Sequence, residues 1–228
     1  MKTVIEFLKE LQRNNNRVWF EANRTRYREA AEQFTAFVER LIVGIAGFDP
    51  SIGNLSAVDC TYRIYRDTRF SLDKSPYKTH MGAYICPHGK RSGYAGYYFH
   101  VEPAGSGFVG GHLLSAGLYR PFPEILRGVR EEIRDNGQDF VEALEQASGF
   151  ALCHDNTLKK IPNGFPADSP YAEYFKLKDF FLERYVNERF MCMKEERLLA
   201  RTLEQFRTAQ PFNAFLNRAI DLVRSERK

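Results

Sequence analysis

The sequence contains no Cys-x-x-Cys pair: Cys60, Cys86, Cys153 and Cys192 stand singly along its 228 residues. That excludes the usual spacing of a zinc finger, a redox motif or a disulfide scaffold. Isolated thiols of this kind read as reduced cytoplasmic cysteines serving as small core residues. Long apolar runs are missing too. Leu41 to Phe48 is the longest and contains two glycines, far short of the ~20 residues that cross a bilayer. Met1 to Leu11 is charged and amphipathic, without the apolar block of a signal peptide. The expectation is a cytoplasmic protein that does not span a membrane. Strong net charge is also absent, since 33 Lys+Arg oppose 29 Asp+Glu for a net +4. No G-x-x-x-x-G-K-[ST], no G-x-G-x-x-G opening a helix and no G-x-S-x-G occurs. Repeats and low-complexity linkers are lacking, so one domain over 1–228 is expected.

Aromatic rings are what the chain has in excess, with 19 Phe and 12 Tyr. Their spacing organises the reading. Residues 1–50 are helical in period: Thr3 to Glu6 has the form of a capping box, followed by Val4, Ile5, Leu8 and Leu11. Val18, Trp19 and Phe20 form an apolar clip before a longer helix with Ala30, Phe34, Phe37, Val38, Leu41, Ile42 and Ile45 on one stripe. From about 55 to 115 the period changes to that of a sheet. Ala95, Tyr97, Phe99 and Val101 take one face, and Tyr94, Tyr98, His100 and Glu102 the other. The turn signal at Pro103 to Gly107 predicts a hairpin whose return strand runs from Phe108 to Leu114. Residues 120–228 read as mainly helical, with a strand near 178–187 and a short one at Ala151 to Cys153. The fold class expected is α+β: a central, mainly antiparallel sheet with hairpins, flanked by N-terminal and C-terminal helices.

The densest chemistry lies between Tyr62 and Arg91. Arg63, Arg66, Arg69, Lys74, Lys78, Lys90 and Arg91 face only Asp67 and Asp73, a local net charge of +5 that exceeds the whole chain's. Seven of the twelve tyrosines fall in the same region, from Tyr62 to Tyr98. Arginine forks and hydroxyls are what a phosphate or carboxylate needs, because bidentate contacts combine charge with geometry. On a strand, Arg63, Tyr65, Asp67 and Arg69 would share a face, and Asp67 would orient a guanidinium. The competing expectation is ordinary ion pairing with acids elsewhere, and the seven acids between Glu124 and Glu145 are the obvious partners. Nucleic acid ranks below both, since no groove-reading motif accompanies the charge, although tyrosines can stack single-stranded bases.

Two segments, Arg63-Ile64-Tyr65-Arg66-Asp67-Thr68-Arg69-Phe70-Ser71 and Asp73-Lys74-Ser75-Pro76-Tyr77-Lys78-Thr79-His80, resemble the central signature of an uncharacterised family of bacterial and fungal proteins, a domain of unknown function numbered 2461. Tyr97 to Pro103 followed by Gly110-Gly111 is similar to its second signature. Phe7 to Leu11 with Asn15, Trp19 and Phe20 resembles its opening block, and Phe215 to Ala219 its ending. The resemblance covers most of the chain and implies a single cytoplasmic α+β domain. It implies no reaction. His112 to Tyr119 departs from the pattern by its length, so the resemblance assigns nothing to His112.

His100 and Glu102 project from one strand face, and the expected hairpin sets His112 diagonally across from His100. Two imidazoles and a carboxylate so arranged would begin a divalent-metal site at His100, Glu102 and His112. A structural role for the three ranks higher, and no cofactor is expected otherwise. The leading functional expectation is a concave site on the polar sheet face. Arg63, Arg66, Arg69, Lys74 and Lys78 hold an anionic small molecule there, Tyr77 and Thr79 hydrogen-bond it, and His100 and Glu102 line the wall as candidate acid/base groups. The alternative is an interaction module that docks single-stranded nucleic acid or an acidic protein without catalysis. A monomer or weak homo-oligomer is expected.

Overall fold

The computed structural model describes residues 1–226. Helices α1 (Lys2–Arg13), α2 (Arg17–Ala22) and α3 (Arg24–Ala46) open the chain. The capping box is not used: α1 starts at Lys2, with Met1 as its cap and no side-chain cap bond. Val4, Ile5, Phe7, Leu8 and Leu11 are buried in helical register, which draws the first turn upstream of Thr3. The apolar clip is itself helix α2, because Asn16 accepts the Trp19 N–H at 2.9 Å and caps it. Phe20 enters the core from it, while Val18 stays 83% exposed. The expected stripe of α3 is buried in full.

A short helix α4 (Ala57–Cys60) leads to strands β1 (Met81–Ile85), β2 (Gly96–Val101) and β3 (His112–Leu118). Helix α5 (Pro123–Gln146) follows, then β4 (Ala151–Leu152), α6 (Ala172–Phe175), β5 (Phe180–Val186), α7 (Glu188–Met191), α8 (Glu195–Thr208) and α9 (Gln210–Ser225). The five strands are antiparallel in the order β1-β2-β3-β5-β4, so the protein is α+β as the sequence implies. Residues 180–186 supply a strand where one was expected, and it inserts between β3 and β4. Pro211 lies in the first turn of α9, and α5 is broken at Asn136 just before Gly137. Tyr171 occupies the space a Cβ on Gly137 would need, with ring carbons 2.2 Å from that position. Ala95, Tyr97, Phe99 and Val101 are completely buried on the expected face. Phe34 and Phe37 of α3 and Phe206 of α8 pack against them, with Phe37 and Phe99 at 5.0 Å and Tyr97 and Phe206 at 5.3 Å. Among the described residues no helix is long and apolar enough to cross a membrane.

Two expectations fail, for related reasons. The sheet does not begin near 55. Residues 62–80 form an irregular hairpin closed by a Tyr65–Tyr77 bridge, Arg66 N–H to Pro76 O at 3.0 Å and Lys78 N–H to Ile64 O at 2.7 Å. Asp67 takes the Arg69 N–H and Asp73 the Ser75 N–H, so local side-chain turns consume donors that a ladder would use. Arg63, Tyr65, Asp67 and Arg69 therefore share no strand face. The return strand likewise starts at His112 and not at Phe108, because the intervening amides bind Glu102. The observed register is His100↔Leu113 and Tyr98↔Ser115.

The acids of α5 whose ion pairs are seen among the described residues do not serve the basic tract. Glu131, Asp135, Glu132 and Asp139 pair with Arg127, Arg134 and Arg218, whereas Arg66 and Arg69 of the tract take Asp73 and Asp67 within it.

Candidate functional site

Period-two alternation puts Tyr98, His100 and Glu102 on one side of β2 and its extension. Tyr98 Oη lies 2.8 Å from His100 Nδ1, and His100 Nε2 lies 2.9 Å from Glu102 Oε2. Ionised Glu102 only accepts, so Nε2 carries a proton, and Nδ1 shares the second hydrogen bond with the Tyr98 hydroxyl. Burial, with Tyr62 and Glu102 nearby, pushes the Tyr98 phenol up, which keeps it a donor. Opposite the line, Gly82 leaves room for the Tyr98 ring, whose Oη would stand 2.4 Å from a Cβ there.

His100 and Glu102 are both completely buried, so the face is covered and not half-open. The cover is the loop after Pro103. Glu102 Oε1 accepts from the Ser106 hydroxyl and from Phe108 N–H at 2.9 Å. Oε2 accepts from His100, from Val109 N–H at 2.8 Å and from Gly110 N–H at 3.2 Å. Three consecutive amides thus make a nest for one carboxylate. Gly105 and Gly107 carry the positive φ, +76° and +82°, that turns the chain around Ser106. Burial pushes the Glu102 pKa up, but the bonds from His100, Ser106, Phe108 and Val109 outweigh it and hold the pKa at about 2. Glu102 is an ionised anchor with its acceptor positions filled.

His112 does not join this group. Because His100 pairs with Leu113, His112 lies one residue out of phase and on the opposite face. Its Nδ1 accepts the Glu102 backbone N–H at 3.1 Å. Among the described residues no three or more His, Cys, Asp or Glu side chains are grouped to hold a metal ion.

Beside the anchored loop is a cavity of about 450 Å³, within the size range of small-ligand sites. Ser106 and Phe108 form one wall, and Arg66, Tyr77, Lys78, Thr79 and His80 of the irregular hairpin form another. Gln12 and Asn15 close it from the end of α1. Asn15 is spent on structure, clasping the Tyr77 backbone with bonds of 2.9 and 3.2 Å. Tyr77 is 3% exposed and stacks on Phe20 at 3.9 Å, so its ring is core as well as wall. Arg66 pairs with Asp73, which also lines the cavity.

Lys78 differs from the other cations. Partial burial, then the charge of Arg63, lowers its pKa, yet no carboxylate lies within ion-pair reach among the described residues. Its ammonium sits 5.6 Å from the Tyr62 ring centroid. His80 stacks on Phe108 at 4.2 Å and stands 5.0 Å from His100. Its Nδ1 is buried with no hydrogen-bond partner. Burial first, then the neighbouring His100, with Lys78 and Arg66 adding to it, pushes His80 down to about 3, so its imidazole is neutral.

Of the residues expected to bind an anion, Arg66, Tyr77, Lys78 and Thr79 meet in this cavity. Arg63 is exposed outside its lining. Arg69 is claimed by Asp67 at 2.7 Å through a local turn and lies outside the lining, and Lys74 donates to the Thr68 carbonyl at 3.0 Å. Sequence reasoning missed His80, Ser106 and the loop amides. Two glycines flanking a serine four residues after Glu102 were the available signal. A larger cavity of about 630 Å³ lies along α9, but its charged groups are already matched. Asp49 holds Tyr97 and Ser51, Asp221 holds Tyr94, and Arg218 holds Glu132 and Asp139.

A family model described as "Conserved hypothetical protein (DUF2461)" matches residues 3–215. No curated protein and no solved structure matches the chain.

Proposed function

The chain belongs to the DUF2461 family, whose description carries no activity, so we propose from the site alone that the cavity between residues 62–80 and the Glu102 loop binds a small molecule bearing a phosphate or carboxylate. Lys78 carries the proposal. Lys78, a partly desolvated cation with no carboxylate in ion-pair reach among the described residues, lines a polar cavity, an incomplete arrangement that an anion completes. Arg66 supplies a second charge, shared with Asp73. Arg63 adds to the positive potential from outside. Arg69 and Lys74 take no part, since neither lines the cavity. Glu102 and His100 are positioning residues: they fix Ser106 and Phe108 in the wall, and their burial keeps them from direct contact with a ligand.

Calorimetric titration with inorganic phosphate, at low and moderate salt, tests this. The expected result is saturable binding that weakens with salt and falls at least about tenfold in Lys78→Met, the size of one charge-assisted hydrogen bond. Arg69→Ala binds as the parent does. Equal affinity in Lys78→Met and parent, or no saturable heat in the parent, overturns the proposal.

A further inference from the structure

An anion satisfies Lys78 and Arg66 and leaves other groups in the same cavity unmatched. Gln12 donates from its amide nitrogen to the Ala104 carbonyl at 3.5 Å, and its Oε1 makes no hydrogen bond among the described residues. Among the described residues Thr79 Oγ1 makes none either, nor does either ring nitrogen of His80; Nδ1 is buried, so Nε2 is the ring nitrogen open to a ligand. All three residues line the cavity. One of these groups can only accept. An amide oxygen only accepts, whereas Nε2 of a neutral imidazole accepts or donates according to its tautomer. Phosphate and carboxylate oxygens donate nothing when ionised, so a bare anion offers Gln12 Oε1 no donor. A hydroxyl donates and accepts at once, which suits Gln12, Thr79 and Nε2 of His80 together.

Resting on the anion-binding reading above, we propose that the ligand is a phosphate monoester of a polyol, its phosphate held by Lys78 and Arg66 and its hydroxyls by His80, Thr79 and Gln12. Cavity size is consistent, since about 450 Å³ exceeds what a phosphate alone fills. Phe108, stacked on His80 and 64% exposed, is placed to lie against the ligand's carbon skeleton. His80 is a binding residue in this proposal, and no bond is made or broken.

The test compares ribose 5-phosphate, pentyl phosphate and inorganic phosphate by calorimetry on the full chain. Ribose 5-phosphate is expected to bind at least about tenfold tighter than pentyl phosphate, the gain of one or two neutral hydrogen bonds. In His80→Phe, which keeps the stack on Phe108, that ratio shrinks severalfold. Pentyl phosphate binding as tightly as ribose 5-phosphate overturns this inference and leaves the anion site standing. Failure of all three to bind overturns both. The ratio in the native protein decides the matter even if His80→Phe does not fold.

Discussion

Replacing Glu102 by Gln tests the reasoning at its most constrained point. The carboxylate is completely buried and accepts from five donors: the Ser106 hydroxyl, the His100 ring and the amides of Phe108, Val109 and Gly110. Its pKa is held at about 2 against an ordinary 4.5, and each pH unit between the two is worth roughly 1.4 kcal/mol, so the ionised form contributes about 3 kcal/mol. The folded pKa is the depressed one. The contribution is therefore complete above pH 4.5 and is lost as the pH falls toward 2. Glutamine keeps one oxygen but turns the other into an NH₂ that faces N–H donors. The loss of charge assistance and the donor–donor conflict together cost about 2–4 kcal/mol. For a domain of this size that lowers the Tm by roughly 5–15 °C. Differential scanning calorimetry from pH 7 to pH 2.5 measures both effects. Glu102→Gln should melt earlier at pH 7 and lose part of the acid-induced destabilisation of the parent. Amide hydrogen exchange should show Phe108, Val109 and Gly110 protected in the parent and released in the variant. A Tm within about 2 °C of the parent, with an unchanged acid limb, would refute the idea that the carboxylate organises the loop.

Other expectations follow from the same contacts. Asp73→Asn frees Arg66 within the cavity and should raise phosphate affinity about threefold at low salt, an effect that fades as salt screens it; titration at two ionic strengths checks it. Gly117→Ala puts a Cβ 2.3 Å from the Phe180 carbonyl oxygen at a φ of +122°. Backbone atoms cannot yield cheaply there, so a loss of about 3 kcal/mol or more is expected in urea unfolding. Burial, more than any neighbour, pushes the Cys60 thiol up to about 12 and Cys86 up to about 11, whereas Cys192 is exposed. Iodoacetamide at pH 8 should therefore modify Cys192 in the native protein and reach Cys60 and Cys86 only after unfolding, as mass spectrometry of the labelled peptides will report.

What could be read in advance divides along a physical line. Helical and strand periodicity is local, and it identified the α3 stripe, the buried face of β2, the strand at 180–186 and the break at Pro211. Charge clustering is local as well, and it located the hairpin that carries Arg66, Lys78 and Thr79. Register is not local. A turn at Pro103 to Gly107 suggested immediate pairing, but the carboxylate of Glu102 competed for the amides of residues 108–110 and delayed the strand to His112. That shift carried His112 to the opposite face from His100. In the same way the sequence could count the basic residues of the tract but could not pair them. Asp67 and Asp73 took Arg69 and Arg66 within a few residues, and no carboxylate among the described residues reaches Lys78.

Amino-acid order alone determined the α+β class, the family resemblance and the segment of positive charge, because each depends on neighbours in the chain. Tertiary structure decided that His100 and Glu102 are sealed, that His80 and Ser106 line the cavity beside the hairpin, and that Lys78 is partly buried there with no carboxylate in ion-pair reach among the described residues. Those outcomes depend on which donors, acceptors and charges meet after the hairpin at 62–80 folds against the loop at 103–110. Burial then fixes whether each group finds a partner, and the sequence records the groups but not their meetings.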